Sequence, residues 1–164
     1  MMQFIKRISR LLDSRSTNSN DNLAPTDISR ALASLLYEAA RVDADVTNKD
    51  LEIAAESLRH LIRISKAEAD QLLIEASQPQ NRPTAYHPLA KIINEKFSYG
   101  QKCALIKAMW SVAHSDNYVD PNEDHIIRKI SDLLYVAHRD FIHEKINARE
   151  SGVLKSTTPT DPTE

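Results

Sequence analysis

Glycine is nearly missing from this chain of 164 residues, which holds two, and cysteine occurs once. Aromatic residues make up 5% of it. So little glycine leaves few of the tight turns that a sheet protein needs, while Ala, Leu, Ile, Glu, Lys and Arg are abundant, so the composition predicts an all-α fold. The lone Cys103 has no internal disulfide partner and stands in an apolar helical stretch, which fits a reducing compartment and a structural thiol. A net charge of −2 supplies no basic field, which argues against nucleic acid as a partner. No apolar run approaches the ~20 residues that cross a bilayer, and the N-terminus lacks a secretory signal's apolar segment and cleavage site. The expectation is a cytoplasmic protein. Enzyme signatures are missing as well: no HExxH, no glycine-rich phosphate loop and no Gly-x-Ser-x-Gly elbow, so catalytic residues and organic cofactors are not expected.

What the chain does have is 41% hydrophobic content, enough for one core and one domain. Helical spacing marks Ile28, Ala31, Leu32, Leu35, Leu36, Ala39 and Val42 as the face of a first long helix, and Leu51 to Ile62 as a second. Ser65 and Glu68 form a capping box that opens a third helix running through Ala76. The segment Gln78 to Pro83 cannot continue it. Helices resume over Leu89 to Phe97, Gly100 to Ala113, the stretch holding Ile126, Ile130 and Leu134, and about His138 to Ala148. The predicted architecture is a compact bundle of about seven helices. Residues 25–148 form the domain, 1–24 an N-terminal helix and flexible linker, and 149–164 a disordered tail.

Two junctions between helices share one pattern, Asp-x-x-Val-x-x-x-(Asp/Glu): Asp43 to Asp50, and Asp116 to Glu123, about 73 residues on. They divide the domain into two pseudo-repeated helical hairpins. Capping explains most of the acids. Thr47 with Asp50 reads as a capping box, and Asp120, Pro121 and Glu123 as N-cap, N1 proline and N3 acid. It does not explain Asp43 and Asp116, which follow helix C-termini, where the macrodipole disfavours negative charge. Their neutralising partner is the next helix's amides, a cation such as Arg41, or a divalent metal ion. Asp43, Asp45 and Asp50, and Asp116, Asp120 and Glu123, are therefore candidate hard-oxygen ligands for Ca²⁺ or Mg²⁺. The loop is not an EF-hand, since Asn48 stands where that loop requires Gly and Ala54 where it requires the bidentate Glu. His114 and His125 flank the second turn and raise a mixed His/carboxylate site for Zn²⁺ as a further alternative. Trp110 reads as core packing.

The turn Ala-x-x-Asp-x-x-Val-x-x-x-(Asp/Glu), carried by Ala40 to Asp50 and Ala113 to Glu123 between long helices, resembles the TerB-like tellurite-resistance domain. Related domains occur in membrane-anchored DnaJ-like co-chaperones. The resemblance covers roughly Asp27 to Lys145 and implies an all-α domain, an association with stress and tellurite resistance, and metal ligation by acidic residues. It implies no enzymatic activity. Ala44 and Asn117 stand where Gly commonly follows the first Asp of the pattern, and Asp50 replaces Glu in the first copy.

The N-terminal segment carries a different signal. Phe4, Ile5, Ile8, Leu11 and Leu12 share one helical face, with Lys6, Arg7 and Arg10 on the others. Such a helix packs on its own domain or a protein partner, or lies on an anionic membrane surface at the inner membrane face. Two functional readings follow: a stress-associated binding or adaptor protein with a divalent-cation site at its acidic turns, or a purely structural interaction module whose acids only cap helices.

Overall fold

The computed structural model describes residues 25–41, 45–115 and 121–156, with the side chains of 25–26, 121–123 and 152–156 outside that description. Among the described residues there are seven α-helices and no strand, as the composition predicts. They are α1 (Pro25–Arg41), α2 (Asn48–Ile62), α3 (Lys66–Ser77), α4 (His87–Lys96), α5 (Tyr99–Ala113), α6 (Pro121–Leu133) and α7 (His138–Ser156), with one 3-10 turn at Pro79–Asn81. None of these helices is long and apolar enough to cross a membrane. The N-terminal segment 1–24 lies outside the described residues.

Two helices form the centre. In α1, Leu32, Ala33, Leu35, Leu36 and Ala39 are all fully buried, so the helix is covered nearly all round and not only on one stripe. In α5, Leu105, Ile106, Met109 and Trp110 are equally enclosed. Helices so largely covered need neighbours on most of their sides, and the packing supplies them. Helix α1 packs on α2, α3, α5 and α6, while α5 packs on α6, α7, α1 and α2. Each central helix thus touches its own hairpin partner and the partner of the other, which is the contact pattern of two intertwined repeats. Helix α4 has no counterpart; it fills the side of α1 and reaches α6.

Local chemistry sets the helix starts. Thr47, Ser65 and Ser98 are N-caps in extended backbone, each in a capping box, with Asp50, Glu68 and Gln101 respectively. Such a box satisfies two of the orphan amides at a helix start and is worth about 1 kcal/mol. Two ends are less orthodox. Helix α2 stops at Arg63, with φ 51°, and α6 runs into Tyr135, with φ 58°. At Tyr135 the Val136 amide donates to Ser131 O at 3.0 Å and the Tyr135 amide to Asp132 O at 3.1 Å, a Schellman end with tyrosine where glycine is usual. Buried Val136 supplies the apolar contact of that motif.

The last helix exceeds its expected end at Ala148. It continues to Ser156, because a single Gly152 lowers helix stability by only about 1 kcal/mol and the first proline of this region is Pro159. The α7 start is pinned by Tyr99, whose hydroxyl accepts from the Ala137 amide at 3.1 Å and donates to the Asp140 carboxylate.

Candidate functional site

The acids of the first turn separate into two kinds. Asp45 is exposed, while Asp50 is buried at 8% relative exposure. Asp50 completes the capping box as expected: its Oδ2 accepts from the Thr47 amide at 2.9 Å, and its own amide donates to Thr47 Oγ1 at 3.2 Å. Its other oxygen does something that spacing alone did not indicate. The Ser115 hydroxyl, itself buried, donates to Asp50 Oδ1. Ser115 closes the last turn of α5 through its amide to Val112 O, and it is the residue directly before Asp116. The residue before the second acidic turn is therefore fastened to the last acid of the first.

The remaining candidates have a simple distribution. Asp43, Asp116 and Asp120 lie outside the described residues, as does the side chain of Glu123 in the first turn of α6. Pro121 does open α6, as expected for an N1 proline. Among the described residues no group of three or more His, Cys, Asp or Glu side chains is arranged to hold a metal ion. His125 is exposed on α6. The His114 ring stacks on Trp110 with centroids 5.7 Å apart.

Arg41, one of the cations available to offset Asp43, turns back onto its own helix. Its Nε and Nη2 donate to the two carboxylate oxygens of Glu38 at 3.3 and 3.2 Å. Glu38 is 4% exposed, a rare placement for a carboxylate, and it gathers further partners. The Tyr86 hydroxyl donates to it at 3.2 Å, and Arg82 Nε lies 3.8 Å away. Burial and the adjacent Glu38 carboxylate push the Tyr86 phenol above its ordinary value, and Lys129 sits over its ring. This network fixes the α1 terminus that leads into the first acidic turn. Only its Glu38 to Arg41 spacing was visible in the sequence.

A second unforeseen cluster lies behind the other turn. Asp124, in the first turns of α6, accepts from Lys145 Nζ at 2.8 Å and faces Arg128 at 3.6 Å. Lys145 lies 4.6 Å from the centre of the fully buried Trp110 ring, and Arg128 lies over Phe141. Trp110 is core, as expected, and its indole N–H has no acceptor among the described residues. Half-buried Cys103 also keeps its expected structural character. Burial, aided by the carboxylates of Asp140 and Glu144, pushes its thiol up and away from the reactive thiolate.

Two intertwined hairpins, with the end of α5 hydrogen-bonded to the first turn of α2, make an all-α domain. The family model described as tellurite resistance protein TerB matches residues 29–146, most of the chain, and the chain belongs to that family. Neither the curated proteins nor the solved structures provide a match.

Proposed function

We propose that this TerB-family chain is a stress- and tellurite-resistance-associated binding or adaptor protein, whose divalent-cation site combines the two acidic turns. The observation that carries this reading is the Ser115 to Asp50 hydrogen bond, since it holds the residue just before one turn against the last acid of the other. Chain connectivity keeps Asp116 within one residue of that contact. Asp50, with both oxygens already accepting, serves as the strut, and Asp43, Asp45, Asp116, Asp120 and Glu123 as the ligands. Two points support a cation over plain capping. Arg41 spends its fork on Glu38, and helix C-termini repel the carboxylates that follow them. Carboxylate oxygens favour Ca²⁺ or Mg²⁺, and the exposed position of His125 gives a zinc alternative little support. The ion would order both turns together and present them to a protein partner.

The test is a thermal melt of the chain with Ca²⁺, Mg²⁺, Mn²⁺ or Zn²⁺. An ion at a hundred times its Kd raises stability by about 2.7 kcal/mol. Asp116→Ala with Glu123→Ala should abolish that gain. No stabilisation by any of the four ions, or a gain that survives both substitutions, leaves the structural interaction module as the function.

A further inference from the structure

A cleft of about 560 Å³ opens between α1, α3 and α4, away from the acidic turns. Five aliphatic side chains line it, Ala31 of α1, Leu72 and Ala76 of α3, and Leu89 and Ile92 of α4, beside the polar Ser34 and Asn81. Leu72, Leu89 and Ile92 are only partly buried, so this is core surface left uncovered. Asp27 and Glu75 stand on its rim against a single cation, Arg30. Arg30 spans the mouth to Glu75 at 3.9 Å, with the two side chains 65% and 44% exposed. An ion pair so long and so wet is weak and opens readily. An amphipathic helix laid in a groove needs such a surface: an aliphatic floor with charge at its edges.

We propose that this cleft is the docking site of the chain's own residues 4–12. The chain before Pro25 ends where the cleft begins, since Asp27, Arg30 and Ala31 of the first helical turns line it. Residues 13–24 span up to about 40 Å when extended, more than the roughly 25 Å length of α1, so the segment reaches every part of the cleft. Phe4, Ile5, Ile8 and Leu11 match those aliphatic side chains, and Lys6, Arg7 and Arg10 match a rim with one more acid than base. Tethering does the rest. A tether as short as residues 13–24 holds its ligand at an effective concentration of about 1 mM, so a Kd of about 0.1 mM suffices to keep the cleft about nine-tenths filled. The same apolar face cannot serve a lipid surface at the same time.

Cross-linking tests the proposal in the full chain. With Cys103→Ser as background, Ile8→Cys and Leu89→Cys should form an intramolecular disulfide at a rate independent of protein concentration. Adding Ile5→Asp and Leu11→Asp should slow it about tenfold. Those two substitutions lie outside the helical domain, so they also serve without any change in the cleft. In the otherwise unsubstituted chain they should speed hydrogen exchange at amides of α4 about tenfold. A product that is only a cross-linked dimer makes a second copy the occupant and overturns the proposal. Equal cross-linking and equal exchange with and without the aspartates also overturn it. In that event, co-sedimentation of the segment with anionic vesicles would assign its apolar face to a lipid surface.

Discussion

Ser115 donates its hydroxyl to Asp50, and this one hydrogen bond ties the two hairpins together across 65 residues of sequence. Asp50 meanwhile caps its own helix through Thr47. One carboxylate therefore holds a helix start and a contact between repeats, and the two roles share the same buried atom group.

Removing that carboxylate should be costly in proportion. Asp50→Ala loses the capping box and leaves the buried Ser115 hydroxyl without its acceptor, a destabilisation of about 2 to 3 kcal/mol. Ser115→Ala removes one partner of one bond and should lose about 1 kcal/mol. The double variant should be less destabilised than the sum of the two by about 1 kcal/mol, read from urea unfolding. Additive losses would mean that the two residues do not share an interaction.

The capping half of Asp50 was legible, because Thr-x-x-Asp is a local pattern whose partners lie within one helical turn. The Ser115 half was not. A serine at a helix end has many available acceptors, and only the packing of α2 on α5 selects this one. Glu38 was hidden for the same reason: three residues before Arg41 it looks like one side of a surface pair. Its burial depends on Arg82 and Tyr86, supplied by the connection between halves. Helix positions were legible almost throughout, since apolar spacing and caps act over one turn or less.

Glu38 gives the second prediction. Glu38→Ala strands the Tyr86 hydroxyl and should lower stability by about 2 kcal/mol, while Glu38→Gln keeps an acceptor and should lose about half as much. The Arg41 and Arg82 side chains remain 33% and 41% exposed, so water compensates them in part.

The same network sets an alkaline limit. The folded state raises the Tyr86 phenol above its ordinary value near 10, first through burial and then through Glu38. A raised value means that the native fold favours the neutral phenol. The stabilisation it brings is complete below pH 10 and fades as pH rises through the folded-state value. Urea midpoints measured from pH 8 to pH 11 should fall more steeply for the parent chain than for Tyr86→Phe. Parallel curves would show that the phenol's ionisation is not linked to folding.

Two left-handed residues offer a gain. Arg63 and Tyr135 hold φ 51° and 58° at helix ends, and Tyr135 is 78% exposed with no packing role to lose. Glycine takes this conformation freely, although it also loses more freedom on folding. Tyr135→Gly and Arg63→Gly should each raise stability by about 0.5 to 1 kcal/mol, visible as a Tm increase of a few degrees. A fall in Tm for Tyr135→Gly would mean that the exposed ring makes contacts worth more than the strain of its backbone.

Trp110 is the only tryptophan, so the chain's own fluorescence reads one place. Its ring is buried between His114, two residues before Asp116, and Lys145, which is bound to Asp124 just after Glu123. The residues on either side of the second acidic turn thus reach the same indole, His114 directly and Asp124 through Lys145. If the proposed cation orders that turn, titrating Ca²⁺ or Mg²⁺ should change Trp110 emission along the same curve that raises Tm. Asp116→Ala with Glu123→Ala should flatten both. Lys145→Met tests the wiring separately: it removes the ammonium from the ring and should lower stability by about 1 kcal/mol and shift the starting spectrum, while leaving the ion's Kd within about twofold. A loss of ion affinity in Lys145→Met as large as that of the double acid variant would place the response in the Asp124 cluster and not in the turn.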